Sequence, residues 1–384
     1  MLTRARVLTR AQVLVREVLT RELATIRRRR HKGVREELTT RKGQTMTVID
    51  VHAHVLAEDT IRLLQREAPA AGVKLIPIDS EYGVLEVAGA AYRPFPRGGW
   101  DLERRLRDMD AAEVDMQVVS NTPQTFLYGQ EAQLTAATAR LQNDQIARLV
   151  AAHPNRFKGI ATLPMQAPEL AADELARAIG AGLVGAHIGS NINGRNLDDP
   201  ALEPVWAQAA ALGAFILIHP VGVAGAERLK SYYLANLIGN PVDTTIAAAS
   251  LVFGGVMERF PSLKICLAHG GGFVPYQADR WVHGWQVRGE PKVNLKISPQ
   301  ASLRRFYYDT ILHGAPALEF LVRSAGAGHV LLGSDYPFDM GTPECVRQVR
   351  AASLSPAERA TVLGEGAAAL LDARGGVEAH AAAR

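Results

Sequence analysis

Val48-Ile49-Asp50-Val51-His52-Ala53-His54-Val55 is a short, mostly apolar and β-branched run with two histidines at alternate positions. It reads as a buried β-strand. Seven further runs of this kind follow: Asp115–Asn121, Phe157–Pro164, Leu183–Gly189, Phe215–Pro220, Leu263–Gly270, Phe306–Thr310 and His329–Phe338. Segments rich in Ala, Leu and Arg, such as Pro168–Ile179 and Asp199–Leu212, separate most of them and carry helical spacing. Eight strands alternating with helices predict an α/β chain folded as a (β/α)8 TIM barrel rather than an open sheet. Near-continuous hydrophobicity in the runs suits strands covered on both faces. About 45 residues separate the first strand from a helix expected near Asp101. An insertion there falls on the face where barrel enzymes build their sites, and a small hairpin-containing lid is expected.

The 384 residues are 47% hydrophobic and 21% charged, an ordinary globular balance. Two cysteines, Cys266 and Cys345, exclude a disulfide framework and make a reducing, cytoplasmic setting the expectation. The longest apolar runs fall well short of the ~20 residues that cross a bilayer, so no membrane partner is expected. The net charge of +4 hides an asymmetry. Residues 1–45 carry 13 Lys/Arg against 4 Glu, whereas the rest holds 30 basic and 35 acidic residues. Residues 1–45 therefore read as a basic, disordered extension, with Met46 standing where a shorter chain would begin. Residues 46–372 read as one barrel domain and 373–384 as a frayed tail. Nothing in the acidic body suggests a nucleic-acid footprint.

Polar residues gather where the predicted strands end. His52 and His54 lie two apart on the first strand and face one side. His187 lies on the fourth strand, His219 ends the fifth, His269 ends the sixth, and Asp335 closes the eighth. Several imidazoles and a carboxylate at homologous ends of one barrel predict a metal site, and that donor set suits Zn²⁺ with an open position for water. His153, His283, His329 and His380 lack such positions.

At these residues the chain resembles the amidohydrolase superfamily, and more closely the aminocarboxymuconate-semialdehyde decarboxylase family. The resemblance rests on Asp50-Val-His-Ala-His54, Tyr92-Arg93-Pro94, Ile218-His219-Pro220, Leu263-Lys-Ile-Cys-Leu-Ala-His-Gly-Gly-Gly272 and Leu332-Gly-Ser-Asp-Tyr-Pro-Phe338. It implies that His52, His54, His219 and Asp335 bind the metal and that His269 is the acid/base handling the water it activates. It implies that Arg93 holds a substrate carboxylate, with His187 and Phe338 against the substrate. Arg280, eleven residues past His269, would reach into the neighbouring subunit's site in a homodimer. Dinuclear relatives carry a bridging Lys or Glu on strand four; Leu183–Gly189 has neither, so one ion per chain is expected, zinc first, with manganese or another divalent ion as the alternative. Two departures stand out. His187 replaces a Gln-like residue, which puts the substrate in question, and Gly366 replaces an Asn expected before the last helix.

The activity implied is non-oxidative decarboxylation of a small aromatic or muconate-type acid, by metal-activated water and a histidine acid/base. Arginine suits such a substrate because its planar fork matches a carboxylate. Hydrolysis of an amide or lactone, or hydration of an unsaturated diacid, would start from the same site, and a fold cannot choose among them.

Overall fold

The computed structural model describes residues 46–372, apart from 57, 68, 70–71 and 88–89. The segment 1–45, the tail 373–384 and His380 lie outside the described residues. Strand β1 (Ile49–Val55) is followed by three short strands, β2 (Lys74–Pro77), β3 (Tyr82–Val87) and β4 (Ala90–Pro96). The chain continues through β5 (Met116–Asn121), β6 (Phe157–Thr162), β7 (Gly185–Gly189) and β8 (Phe215–His219). It then forms β9 (Lys264–Leu267), β10 (Tyr307–Asp309) and β11 (Val330–Leu331). β1 and β5 to β11 pair in parallel in that order, each with its sequence neighbour. The eight predicted strands are all present, and the architecture is a (β/α)8 barrel.

The eighth strand differs from its expected extent. Only Val330 and Leu331 are regular; from Leu332 the chain bends and closes the barrel against β1 instead. Val51 donates its N–H to the Leu332 carbonyl at 2.8 Å, Asp335 donates to His52 at 2.8 Å, and His54 donates to Tyr336 at 2.6 Å. This irregular seam places Asp335 beside the two histidines of β1. Gly366 also departs from expectation. It lies inside a helical run from Pro356 to Asp372, so no helix starts at that position for an Asn to cap.

The barrel core joins Ile49, Val51, Val118, Ile160, Phe215, Leu217, Cys266 and Leu331 to Leu370 and Leu371 of the last helix. Burying each such aliphatic or aromatic side chain contributes about 1.5–3 kcal/mol. That helix covers the end where strands begin, which leaves the end where they stop free for a site. The insertion after β1 is a helix, Glu58–Glu67, and an antiparallel sheet, β2–β3–β4, around a core of Leu56, Ile61, Leu64, Val73, Leu85 and Phe95 on which Leu127, Leu134 and Phe338 also pack. It is a flap rather than a loop, so Arg93 stands on a strand. Asp101 then accepts from the Arg104 N–H at 2.9 Å and starts the helix Leu102–Ala111.

Candidate metal centre and active site

His52 and His54 project from β1 into the barrel and are fully buried. Their Nε2 atoms stand 3.0 Å apart, with Asp335 Oδ1 at 3.0 Å from His54 Nε2 and 3.5 Å from His52 Nε2. The far nitrogens are held outside this cluster: His52 Nδ1 by Asp309 Oδ2 at 2.7 Å and His54 Nδ1 by Ser120 Oγ at 3.0 Å. His219 ends β8 with Nδ1 against the Pro220 carbonyl at 3.0 Å. His52, His54, His219 and Asp335 each offer one ligand atom, all within 4.8 Å of one another. Three imidazoles and one carboxylate converging in a buried site are the donors a divalent cation takes.

Electrostatics agree with that fit. Burial drives the His54 ring down to about 4 and holds His219 well below its ordinary value, so both are neutral donors. Burial also opposes charge on His52, but the Asp309 hydrogen bond and the Asp335 carboxylate outweigh it and raise that ring. Burial disfavours ionised Asp335 too, yet the His269 hydrogen bond and the neighbouring His52 hold it well below the usual carboxylate range.

His269 follows β9, and its Nε2 lies 3.3 Å from Asp335 Oδ2. Its Nδ1 is buried without a hydrogen-bond partner among the described residues. The backbone here is unusual: His269, Gly270, Gly271 and Gly272 all have positive φ, between 55° and 76°. A Cβ on Gly270 would stand 2.4 Å from Leu312, and one on Gly272 would stand 2.1 Å from the Pro241 carbonyl. The glycine run is thus what lets the chain turn sharply enough to aim His269 at Asp335. Asp335 is itself left-handed, at φ 56°. Such strain gathers at functional sites.

Above these residues lies a cavity of about 550 Å³. His219, His269 and Asp335 line it, together with Tyr92 and Arg93 from β4, Gln124, Tyr233 and Phe338. Arg93 is exposed at this wall and makes no ion pair among the described residues. The Phe338 ring lies 5.3 Å from that of His54. Two further residues lie outside this lining: Arg280, expected at the partner's site, and His187. Arg280 is exposed on the helix Val274–Val287 and does not line this cavity. His187 is completely buried beneath the cavity, with its ring 5.1 Å from His54, 5.5 Å from His219 and 4.7 Å from Phe126. Burial pulls its pKa far down.

Several polar residues that sequence reasoning passed over support the site. Asp309 ends β10 and holds His52; its place at a strand terminus was the available signal. Asp50 accepts from the His52 N–H at 3.0 Å, from Ser334 Oγ at 2.6 Å and from Gln117 Nε2 at 3.0 Å, fastening the closing seam. Burial raises its pKa to about 6. Arg105, also buried, donates to the His54 carbonyl and to Gln117 Oε1.

Comparison with known proteins gives the same setting. A family profile described as Amidohydrolase matches residues 49–373. The 2-amino-3-carboxymuconate-6-semialdehyde decarboxylase of Dictyostelium discoideum is 38% identical over 295 residues, covering 76% of this chain and 82% of that protein. The crystal structure of 5-carboxyvanillate decarboxylase from Sphingomonas paucimobilis is similar with a TM-score of 0.72 at 25% identity, covering 85% and 99% of the two chains. Dihydroxybenzoic acid decarboxylase from Polaromonas, solved with manganese and 2-nitroresorcinol, is similar with a TM-score of 0.71 at 25% identity, covering 85% and 97%.

Proposed function

The chain belongs to the amidohydrolase family and is a carboxy-lyase of that superfamily, and from this premise we propose that it releases CO2 from a small aromatic or muconate-type carboxylic acid. The observation that carries this reading is the position of Asp335. Its carboxylate touches the ligand cluster and His269 at once, on the floor of a cavity whose wall carries an unpaired arginine.

His52, His54, His219 and Asp335 would hold one divalent ion, zinc in our reading. When bound, such an ion withdraws electron density from a substrate oxygen and makes water acidic. Arg93 takes a substrate carboxylate through its paired N–H groups, which fixes the acid's orientation in the cavity. Phe338 shapes the wall of the substrate's seat, and His187, packed under His54, acts on that seat from behind the ligand cluster. Breaking the C–C bond to the departing carboxylate leaves an electron pair on carbon, and His269 moves the proton that quenches it. Asp335 steadies the charged form of His269 while this happens. The active unit is a homodimer in which Arg280 completes the partner's site, by analogy with Arg93 as a second guanidinium for a carboxylated substrate. We read residues 46–372 as the catalytic domain and 1–45 as a basic extension. The setting is cytoplasmic, in keeping with two cysteines that are both buried and unpaired. No helix among the described residues is long and apolar enough to cross a membrane.

The test is CO2 release from ortho-hydroxy and ortho-amino aromatic acids and from muconate semialdehydes, with amides, lactones and unsaturated diacids alongside. Stoichiometric CO2 from one of the acids is the expected result. Turnover of an amide or lactone without CO2 would make the protein a hydrolase, and addition of water to a diacid would make it a hydratase.

A further inference from the structure

Asp309 is fully buried at the end of β10, and its two oxygens receive four hydrogen bonds. Oδ2 faces His52 Nδ1 at 2.7 Å and accepts from the His269 N–H at 2.9 Å. Oδ1 accepts from the Gly270 N–H at 2.8 Å and the Ile311 N–H at 3.1 Å. One carboxylate therefore grips a member of the ligand cluster by its side chain and the acid/base by its backbone. An ionised carboxylate can only accept. In the neutral ring this contact with His52 requires the proton on Nδ1, which leaves the Nε2 lone pair facing His54 and Asp335. The two backbone bonds hold the first amides of the left-handed His269–Gly272 turn, a conformation uncommon for a non-glycine residue such as His269.

We propose that Asp309 is a positioning residue with two linked tasks: it sets the tautomer in which His52 can ligate a cation, and it pins the turn that aims His269 at Asp335. This rests on the reading of His52 as a ligand and His269 as the acid/base. Metal binding and proton transfer then depend on one anion that touches neither the substrate nor the ion. An outer partner of a ligating histidine typically accounts for a 10–100-fold effect on affinity or activity.

Asp309→Asn keeps the shape but replaces one acceptor oxygen with a donor, so two of the four N–H groups lose their acceptor. Affinity for zinc and for manganese is measured by competition with a chromogenic chelator, which requires no substrate. The expected result is a loss of about 10–100-fold. At saturating metal, kcat falls by about tenfold or more while KM stays within about threefold, because substrate contacts are intact. A variant with lowered thermal stability but unchanged metal affinity and kcat would overturn the proposal, since that is what a purely structural aspartate predicts. Should the variant not fold, neutron diffraction of the unaltered metal-loaded protein decides. A deuteron on His52 Nδ1 supports the assignment, and one on Asp309 or on His52 Nε2 refutes it. Absence of decarboxylation with every acid tested would sink the proposed activity while leaving the affinity and neutron results to judge Asp309 on their own.

Discussion

His269 Nε2 lies 3.3 Å from Asp335 Oδ2, while the other oxygen of that carboxylate, Oδ1, lies 3.0 Å from His54 Nε2. A single anion thus divides itself between the group proposed to move protons and the cluster proposed to hold the ion. Withdrawing His269 frees one oxygen of Asp335 but leaves the other in place. The two functions should therefore separate under mutation.

His269→Ala is expected to keep its metal and lose about 10²–10⁴-fold in kcat, the range for removing a general acid/base. Elemental analysis of the dialysed variant, paired with a CO2 assay, reads both quantities. A metal-free variant would make His269 a ligand, and full activity would end its proposed role.

One divalent ion per chain is expected, with zinc favoured. β7 supplies no Lys or Glu to bridge a second ion. His219→Ala should lose metal and activity together, and a chelator should abolish turnover that added zinc or manganese restores. Two ions per chain in the purified enzyme would contradict this.

Arg93→Lys should raise KM by about tenfold or more and change kcat less. An ammonium keeps the charge but cannot reproduce the paired geometry on a carboxylate. An unchanged KM would remove Arg93 from the substrate's seat.

Arg280→Ala and His219→Ala proteins should each be nearly inactive alone. Mixed dimers should partly recover, because one of their two sites joins an intact ligand set to a partner's intact Arg280. No recovery in demonstrated heterodimers would rule against sharing across subunits, as would full activity of Arg280→Ala by itself.

Gly272→Ala should destabilise the fold by more than about 1 kcal/mol, because φ is 61° and the new Cβ would meet the Pro241 carbonyl at 2.1 Å. Thermal unfolding measures it. A midpoint equal to that of the unaltered protein would mean the turn relaxes freely, and then its role in aiming His269 fails too.

Strand order was legible because each barrel strand is a short apolar run, and the metal cluster because its members sit at strand ends. The eighth strand was overextended: the run from His329 to Phe338 is apolar enough, but closure against β1 bends it after Leu331. Asp309 shares the strand-end position of the ligands, but the sequence does not distinguish a ligand from a ligand's buried partner there. Its carboxylate meets His52 across 257 residues of chain. The flap was foreseen as a hairpin but not as a three-stranded sheet, since β2 is only four residues long and β4 contains two prolines. His187 was placed on the right strand. Its depth beneath the cavity depends on how β7 packs against β6 and β8, which a linear pattern does not carry.

The flap β2–β4 brings Tyr92 and Arg93 to the cavity, and it rests on a cluster of six buried side chains apart from the main barrel core, which Phe338 joins from the closing seam. Substrate choice and metal chemistry are consequently separable heirlooms. A lineage can recut β4 for a differently shaped acid at the expense of the small core of Leu85 and Phe95 and of the Phe338 ring packed on it, rather than of the main barrel core. The histidines of β1, the seam at Asp335 and the glycine turn would pass on unchanged, so a new diet need not reinvent the chemistry that digests it.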